Sequence, residues 1–198
     1  MRQDPTTSVR TTQSMTSTSR PLVYLTRTGD TILALYNTTA GGSTGGKNGS
    51  WWQPTEHTPS AIDHNVGTKY LNKALGGSAG AGINTGFYVI PSISNATVVL
   101  GLHFATANDC PERDPISVTL EGSNSSDLDL GSSWTLIYNG STGISASSDP
   151  GRMVYAPQQR FLNTVPYKSY RLLVTSKRGN DNCVQYSEAH IIGYVYVP

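Results

Sequence analysis

No run in this 198-residue chain reaches the ~18 consecutive apolar residues that a membrane-spanning helix needs, so no helical span is expected. Charge is scarce: Lys and Arg total 14, Asp and Glu 13, and the charged fraction of 14% is well below the ~25% usual for globular domains. A net charge of +1, with Lys and Arg evenly scattered, offers no footprint for a phosphate backbone and excludes nucleic acid as the main partner. Cysteine is limited to Cys110 and Cys183, too few for a four-ligand zinc site but enough for one bridge in an oxidising compartment. The four histidines, His57, His64, His103 and His190, are scattered, with no His-X-X-X-His pair. No segment has the period of an amphipathic helix, no Gly-X-Ser-X-Gly elbow is read in support of a serine hydrolase, and Gly41-Gly42 and Gly45-Gly46 lack the following Lys-Ser/Thr and helix of a phosphate loop. Among paired carboxylates, Asp127 and Asp129 sit in the polar turn SSDLDLGSS. Glu112 and Asp114 flank Arg113 in a manner that favours an ion pair over acid/base work. A protein that is not an enzyme is the expectation.

What replaces the charge is hydroxyl. Ser and Thr number 46, close to a quarter of the chain, and Asn-X-Ser/Thr triplets occur at Asn37, Asn48, Asn95, Asn124 and Asn139. A neutral, hydroxyl-rich surface with glycosylation acceptors fits an extracellular or surface-associated protein that faces glycans. Residues 1–20 contain no aromatic residue, no Leu and no Ile, and read as a Ser/Thr-rich arm. They also lack the apolar core of a secretory signal. Residues 21–198 then form one domain.

From Pro21 onward the punctuation is that of an all-β protein, with short apolar or alternating runs separated by Gly, Pro, Asn, Asp and Ser. Strands are predicted at Leu22 to Thr26, Thr31 to Tyr36, Gly86 to Ile90, Thr97 to Phe104 and Ile116 to Glu121. Others follow at Trp134 to Tyr138, Gln159 to Leu162, Ser169 to Ser176 and Val184 to Tyr196. Many short strands with polar connections imply two packed antiparallel sheets, because a lone sheet would leave an apolar face in water. The loop Thr38 to Ser50, ending at Trp51-Trp52, and the loop Gly76 to Gly82 are expected at the surface.

Two segments carry candidate chemistry. In Ala61 to Tyr70, the side chains of Asp63, Asn65 and Thr68 place three oxygen donors in one tight turn, as a hard cation requires. The same residues also cap turns with no ion present. The second segment runs from Thr106 to Pro115. Together with Lys177 to Cys183 it can form a concave polar rim, tied by a Cys110–Cys183 bridge, in which Arg, Asn and Asp bond vicinal hydroxyls. Alternatively, Arg113 pairs with a local carboxylate and merely orders its loop.

The ordered series AIDHNVGTKYLN, TGFYVIP, VVLGLHFATANDCPERDPISVTLEGSN, SSWTLIYNGSTGI and YKSYRLLVTSKRGNDNCVQYSEAHIIGY resembles the galactose-binding-like β-sandwich superfamily. The nearest forms are the discoidin or coagulation-factor C-type domains and the family 32 carbohydrate-binding modules. The resemblance spans about residues 21 to 196 and implies an eight-stranded antiparallel jelly-roll sandwich with its binding loops at one end. It further implies a structural calcium held by Asp63, Asn65, Thr68 and, from the last strand, Glu188. Arg113 matches the Arg that sugar-binding relatives present before the Gly-Ser strand, with Asn108, Arg178 and Asn180 as neighbours. Trp134 matches a strand Trp of the core. The insertion Thr38 to Trp52 departs from the pattern. Of its two adjacent tryptophans, one should be buried and the other, taken as Trp52, available to a sugar ring. The expected function is a non-enzymatic module that binds a glycan or glycoprotein. The alternative is a structural subunit of a filament, coat or matrix, in which copies pack together through the sandwich and the arm.

Overall fold

The computed structural model describes residues 20–48, 54–74 and 81–197. They contain twelve strands: β1 (Val23–Tyr24), β2 (Thr31–Tyr36), β3 (Gly46–Lys47), β4 (Tyr70–Asn72), β5 (Gly86–Ile90), β6 (Thr97–Ala105), β7 (Pro115–Ser123), β8 (Thr135–Ser141), β9 (Gln159–Arg160), β10 (Ser169–Lys177), β11 (Val184–Tyr186) and β12 (Glu188–Val195). A six-stranded sheet in the order β3-β2-β5-β10-β7-β8 faces a four-stranded sheet in the order β1-β12-β6-β9, and β4 and β11 pair separately. Every pairing is antiparallel. The antiparallel β-sandwich expected from the sequence is the fold observed.

Period-two alternation decides which residues enter the core. On β10, Tyr170, Leu172 and Val174 point between the sheets. On β7, Val118 and Leu120 do so, on β5 Phe87 and Val89, and on β12 Ala189 and Ile191. All are buried in one continuous cluster, where each large side chain contributes roughly 1.5–3 kcal/mol relative to exposure. The residues between them face outward, and this puts Arg171, Glu121, Glu188 and His190 on the outer faces of the sheets.

Those outward charges are nevertheless buried. Arg171 Nε donates to Glu121 Oε2 at 2.7 Å, and both side chains are 0% exposed. The cover is the glycine-rich loop. The Gly41 N–H donates to Glu121 Oε1 (2.7 Å), and an Arg171 amino group donates to the Gly42 carbonyl (2.9 Å). On the other side of the guanidinium, 4.7 Å away, lies the ring of Trp134. Trp134 is thus buried as expected, but against Arg171 on the outer face and outside the inter-sheet cluster. Gly41-Gly42-Ser43-Thr44-Gly45 has the glycine spacing of a hydrolase elbow. Here it is part of a clasp, with Ser43 Oγ accepting the Gly131 N–H and the strand β3 following at Gly46–Lys47.

Three details differ from the strand pattern read in sequence. β3 and β4, with two and three residues, are too short to leave a periodic signal. The run Val184 to Tyr196 is broken at Ser187, whose hydroxyl donates to the Val66 carbonyl at 2.9 Å. The arm lies outside the described residues except for Arg20, whose guanidinium sits 5.3 Å from the centre of the Tyr194 ring. Trp51 and Trp52 also lie outside the described residues.

Candidate functional site

The turn from Asp63 to Thr68 is wound around the Asp63 carboxylate. One carboxylate oxygen accepts the Asn65 N–H (2.9 Å) and the other accepts the Thr68 hydroxyl (2.7 Å), while the Asn65 side-chain oxygen accepts the Gly67 N–H (3.0 Å). His64 takes φ 65° to make the reversal. Facing the turn from the start of β12 is Glu188, fully buried, with neither carboxylate oxygen hydrogen-bonded. Its Oε2 lies 2.9 Å from His190 Nε2, but the contact is not aligned as a hydrogen bond, and both atoms remain unsatisfied. Burial, then the charge of Asp63, pushes the Glu188 carboxyl up to about 8. Burial pushes His190 down to about 4. Sequence reasoning named these four residues from two places in the chain, and the fold brings Asp63, Asn65, Thr68 and Glu188 together.

Two carboxylates side by side, one with both buried oxygens lacking a donor, form an environment that a cation would complete. Among the described residues no group of three or more His, Cys, Asp or Glu side chains forms a metal centre. The donors here are two carboxylates, an amide and a hydroxyl. That all-oxygen set suits a hard cation supplemented by carbonyls.

A second feature is a cleft of about 420 Å³ lined by Glu56, Lys69, Leu71, Lys73, Asp109, Cys110, Arg113 and Asn182. Lys69 donates to Asp109 (2.8 Å) and lies 3.4 Å from Glu56, which fixes one wall. Arg113 donates through Nε to Asp181 Oδ2 at 3.0 Å. Its two terminal amino groups make no hydrogen bond among the described residues, and neither does the side-chain amide of Asn182. A guanidinium held by its Nε presents a planar fork that matches paired oxygen acceptors.

The other predicted ligand residues are placed differently. Arg178 is a structural tie: it donates to the Pro111 carbonyl (3.1 Å), the Ser148 carbonyl (2.9 Å) and Asp114 (3.0 Å). Asp114, fully buried, also takes a bidentate pair from Arg152 at 2.8 and 2.6 Å. Asp114 therefore serves Arg152 and Arg178, not its neighbour Arg113. Asn108 and Asn180 are exposed and stand outside the cleft lining, and Trp52 falls outside the described residues. The predicted bridge is corrected: Cys110 and Cys183 are free thiols. Cys110 stands on the cleft wall, whereas Cys183 is packed inside, where burial pushes its thiol up to about 11. Asn182 lies in the Lys177–Cys183 segment expected at the rim, but Glu56, Lys69 and Lys73 were not read as part of it. They lie in different segments, and no local pattern announces that they share a wall.

No protein-family model matches the chain, and no curated protein does. Solved structures do. The family 32 carbohydrate-binding module of Clostridium perfringens NanJ, in complex with galactose, aligns with TM-score 0.57 at 12% identity, over 87% of this chain and 99% of that one. A fucolectin from striped bass serum (Morone saxatilis) gives 0.54 at 15% identity, over 83% of this chain and 47% of that one. A family 62 module of Clostridium thermocellum Xyl5A gives 0.52 at 15% identity, over 83% and 94%. At this identity the likeness establishes the fold alone, a β-sandwich shared with these modules.

Proposed function

We propose that the protein is a non-enzymatic carbohydrate-binding module whose sugar site is the cleft between Glu56, Lys69, Arg113 and Asn182. The observation that carries this reading is the fork of Arg113, held by Asp181 through Nε, with its amino groups open towards a cleft that also offers an amide and two carboxylates. Hydroxyl pairs on a pyranose match those donors and acceptors. Other proteins of this fold are solved in complex with galactose or with N-acetylgalactosamine. Titration with these two sugars tests it. Arg113→Ala should weaken binding roughly 10- to 100-fold, the loss of a charge-assisted hydrogen bond of ~1.5–3 kcal/mol, with little change in melting temperature. Equal affinity in the variant, or no binding by the wild type, removes the reading.

Calcium is the second part of the proposal. Asp63, Asn65, Thr68 and Glu188 would hold it, and its charge would neutralise two carboxylates that otherwise repel. Its role is structural. The five asparagines of the Asn-X-Ser/Thr triplets are all exposed, which supports carbohydrate being carried at the surface when the chain passes through a glycosylating compartment. Loss of mass on enzymatic deglycosylation tests that.

Self-association is a second reading. It is favoured by an apolar strip beside the edge strand β1, where Leu22, Val23, Tyr196 and Val197 are 43, 39, 38 and 63% exposed. A monomeric mass by light scattering, with or without residues 1–20, counts against it.

A further inference from the structure

Lys177, the last residue of β10, turns its ammonium into a cage of backbone carbonyls. Nζ donates to the carbonyls of Ala81 (2.8 Å), Cys183 (3.3 Å) and Asp181. An ammonium has three N–H donors, so all are used. Among the described residues Lys177 forms no ion pair within 4 Å, so its direct partners at this junction are backbone carbonyls, while the carboxylates of Asp181 and Glu112 favour its charge from further away.

The three carbonyls belong to two segments that the ammonium joins. One is the approach to β5 at Ala81-Gly82, and the other is the return from β10 to β11 at residues 181–183. Their contact is close: a Cβ at Gly82, where φ is +93°, would lie 2.5 Å from the Val184 nitrogen and 2.7 Å from the Cys183 carbonyl carbon. Without the ammonium, the three carbonyl oxygens would lose the donor that links them.

The second segment carries the cleft. Asp181 gives its backbone carbonyl to Lys177 and its carboxylate to Arg113 Nε at 3.0 Å, and the next residue, Asn182, lines the cleft itself. We infer that Lys177 is a positioning residue for the cleft: its ammonium fixes the backbone at Asp181, and through Asp181 it sets the plane of the Arg113 guanidinium. This rests on the proposed reading of the cleft as a sugar site, but the geometric claim can be tested apart from any sugar.

The experiment follows the Arg113 Nε–H resonance by NMR in wild type and Lys177→Ala, with and without n-propylammonium chloride, whose chain replaces the deleted methylenes and ammonium. In Lys177→Ala the resonance should shift and lose protection from solvent exchange. Propylammonium should restore both, and sodium chloride at equal ionic strength should not. Galactose affinity should fall about tenfold and recover in parallel, the equivalent of ~1.4 kcal/mol. An unchanged Arg113 resonance in folded Lys177→Ala, or one that sodium restores equally well, overturns the inference. If the alanine variant does not fold, Lys177→Gln is measured instead. It keeps two N–H donors without the charge, and an unshifted resonance there overturns the inference equally. A wild type that binds neither galactose nor N-acetylgalactosamine, yet shows the Arg113 response, removes the sugar site and leaves Lys177 as the device that orients Arg113.

Discussion

Glu188 is a buried carboxyl whose two oxygens lack donors, a state that costs stability unless something supplies charge or hydrogen bonds. Opposite outcomes are therefore expected with and without calcium. In chelator at a pH above about 8, where Glu188 is ionised, Glu188→Gln should melt above wild type, because a neutral amide beside Asp63 removes the like-charge repulsion. In millimolar calcium, the wild type should melt higher, since a ligand at a hundredfold excess over its Kd adds ~2.7 kcal/mol, whereas the variant should gain little. Differential scanning calorimetry in both buffers reads the crossover, and parallel curves would remove the cation. The ligand set was legible in sequence only through resemblance. Spacing alone gave Asp63, Asn65 and Thr68 as a turn, which they also are, and nothing local ties them to a carboxylate 120 positions further on. Arg178 misled for a related reason. Its sequence neighbours are Gly179 and Asn180, but its partners are Pro111, Asp114 and Ser148.

At the scale of elements, the long strands were readable because alternation survives wherever one face is buried, as in Phe87-Tyr88-Val89. The glycine-rich loop was not. Composition placed Gly41 to Gly46 at the surface, and the loop does lie there, but it is clamped from below by a pair whose members are fifty residues apart. Small residues are what permit it: the Gly41 N–H and Gly42 carbonyl reach the Glu121 and Arg171 side chains directly. Removing one member of a fully buried ion pair leaves an unpaired charge, so Arg171→Met or Glu121→Leu alone should destabilise by about 3–5 kcal/mol. The double substitution should recover much of that loss, since apolar replacement of the whole pair is often neutral. Urea denaturation of the three variants measures the coupling. Additive losses would mean that the loop, and not the pair, carries the stability.

Across the whole molecule, the scarcity of charge takes on a different meaning. A 14% charged fraction suggested a neutral surface, yet Arg171, Glu121, Asp114 and Glu188 are all 0% exposed, and the first three serve as internal ties. Glu188 and the cleft meet in one region. The turn Asp63 to Thr68 runs straight into Lys69 and β4, and Glu188 follows β11 by one residue, with Leu71 paired to Gln185 across the two-stranded sheet. Lys69 and Leu71 line the cleft, and Gln185 donates to Asp109 on its wall at 2.8 Å. The turn proposed to hold calcium and the cleft therefore share the β4–β11 ribbon. Such a short pair is held mainly by what anchors its ends. Removing calcium should loosen the ribbon and weaken galactose binding several-fold, the consequence of a coupling free energy of ~1 kcal/mol or more. By reciprocity, saturating galactose should tighten calcium by the same factor. Calorimetric titration of each ligand in the presence and absence of the other closes the cycle. Asp63→Ala, which loses the cation, should bind galactose as the chelated wild type does, with no further effect of calcium. Equal galactose affinity in calcium and in chelator would instead mean that the ribbon keeps its shape unaided and that the two sites are independent.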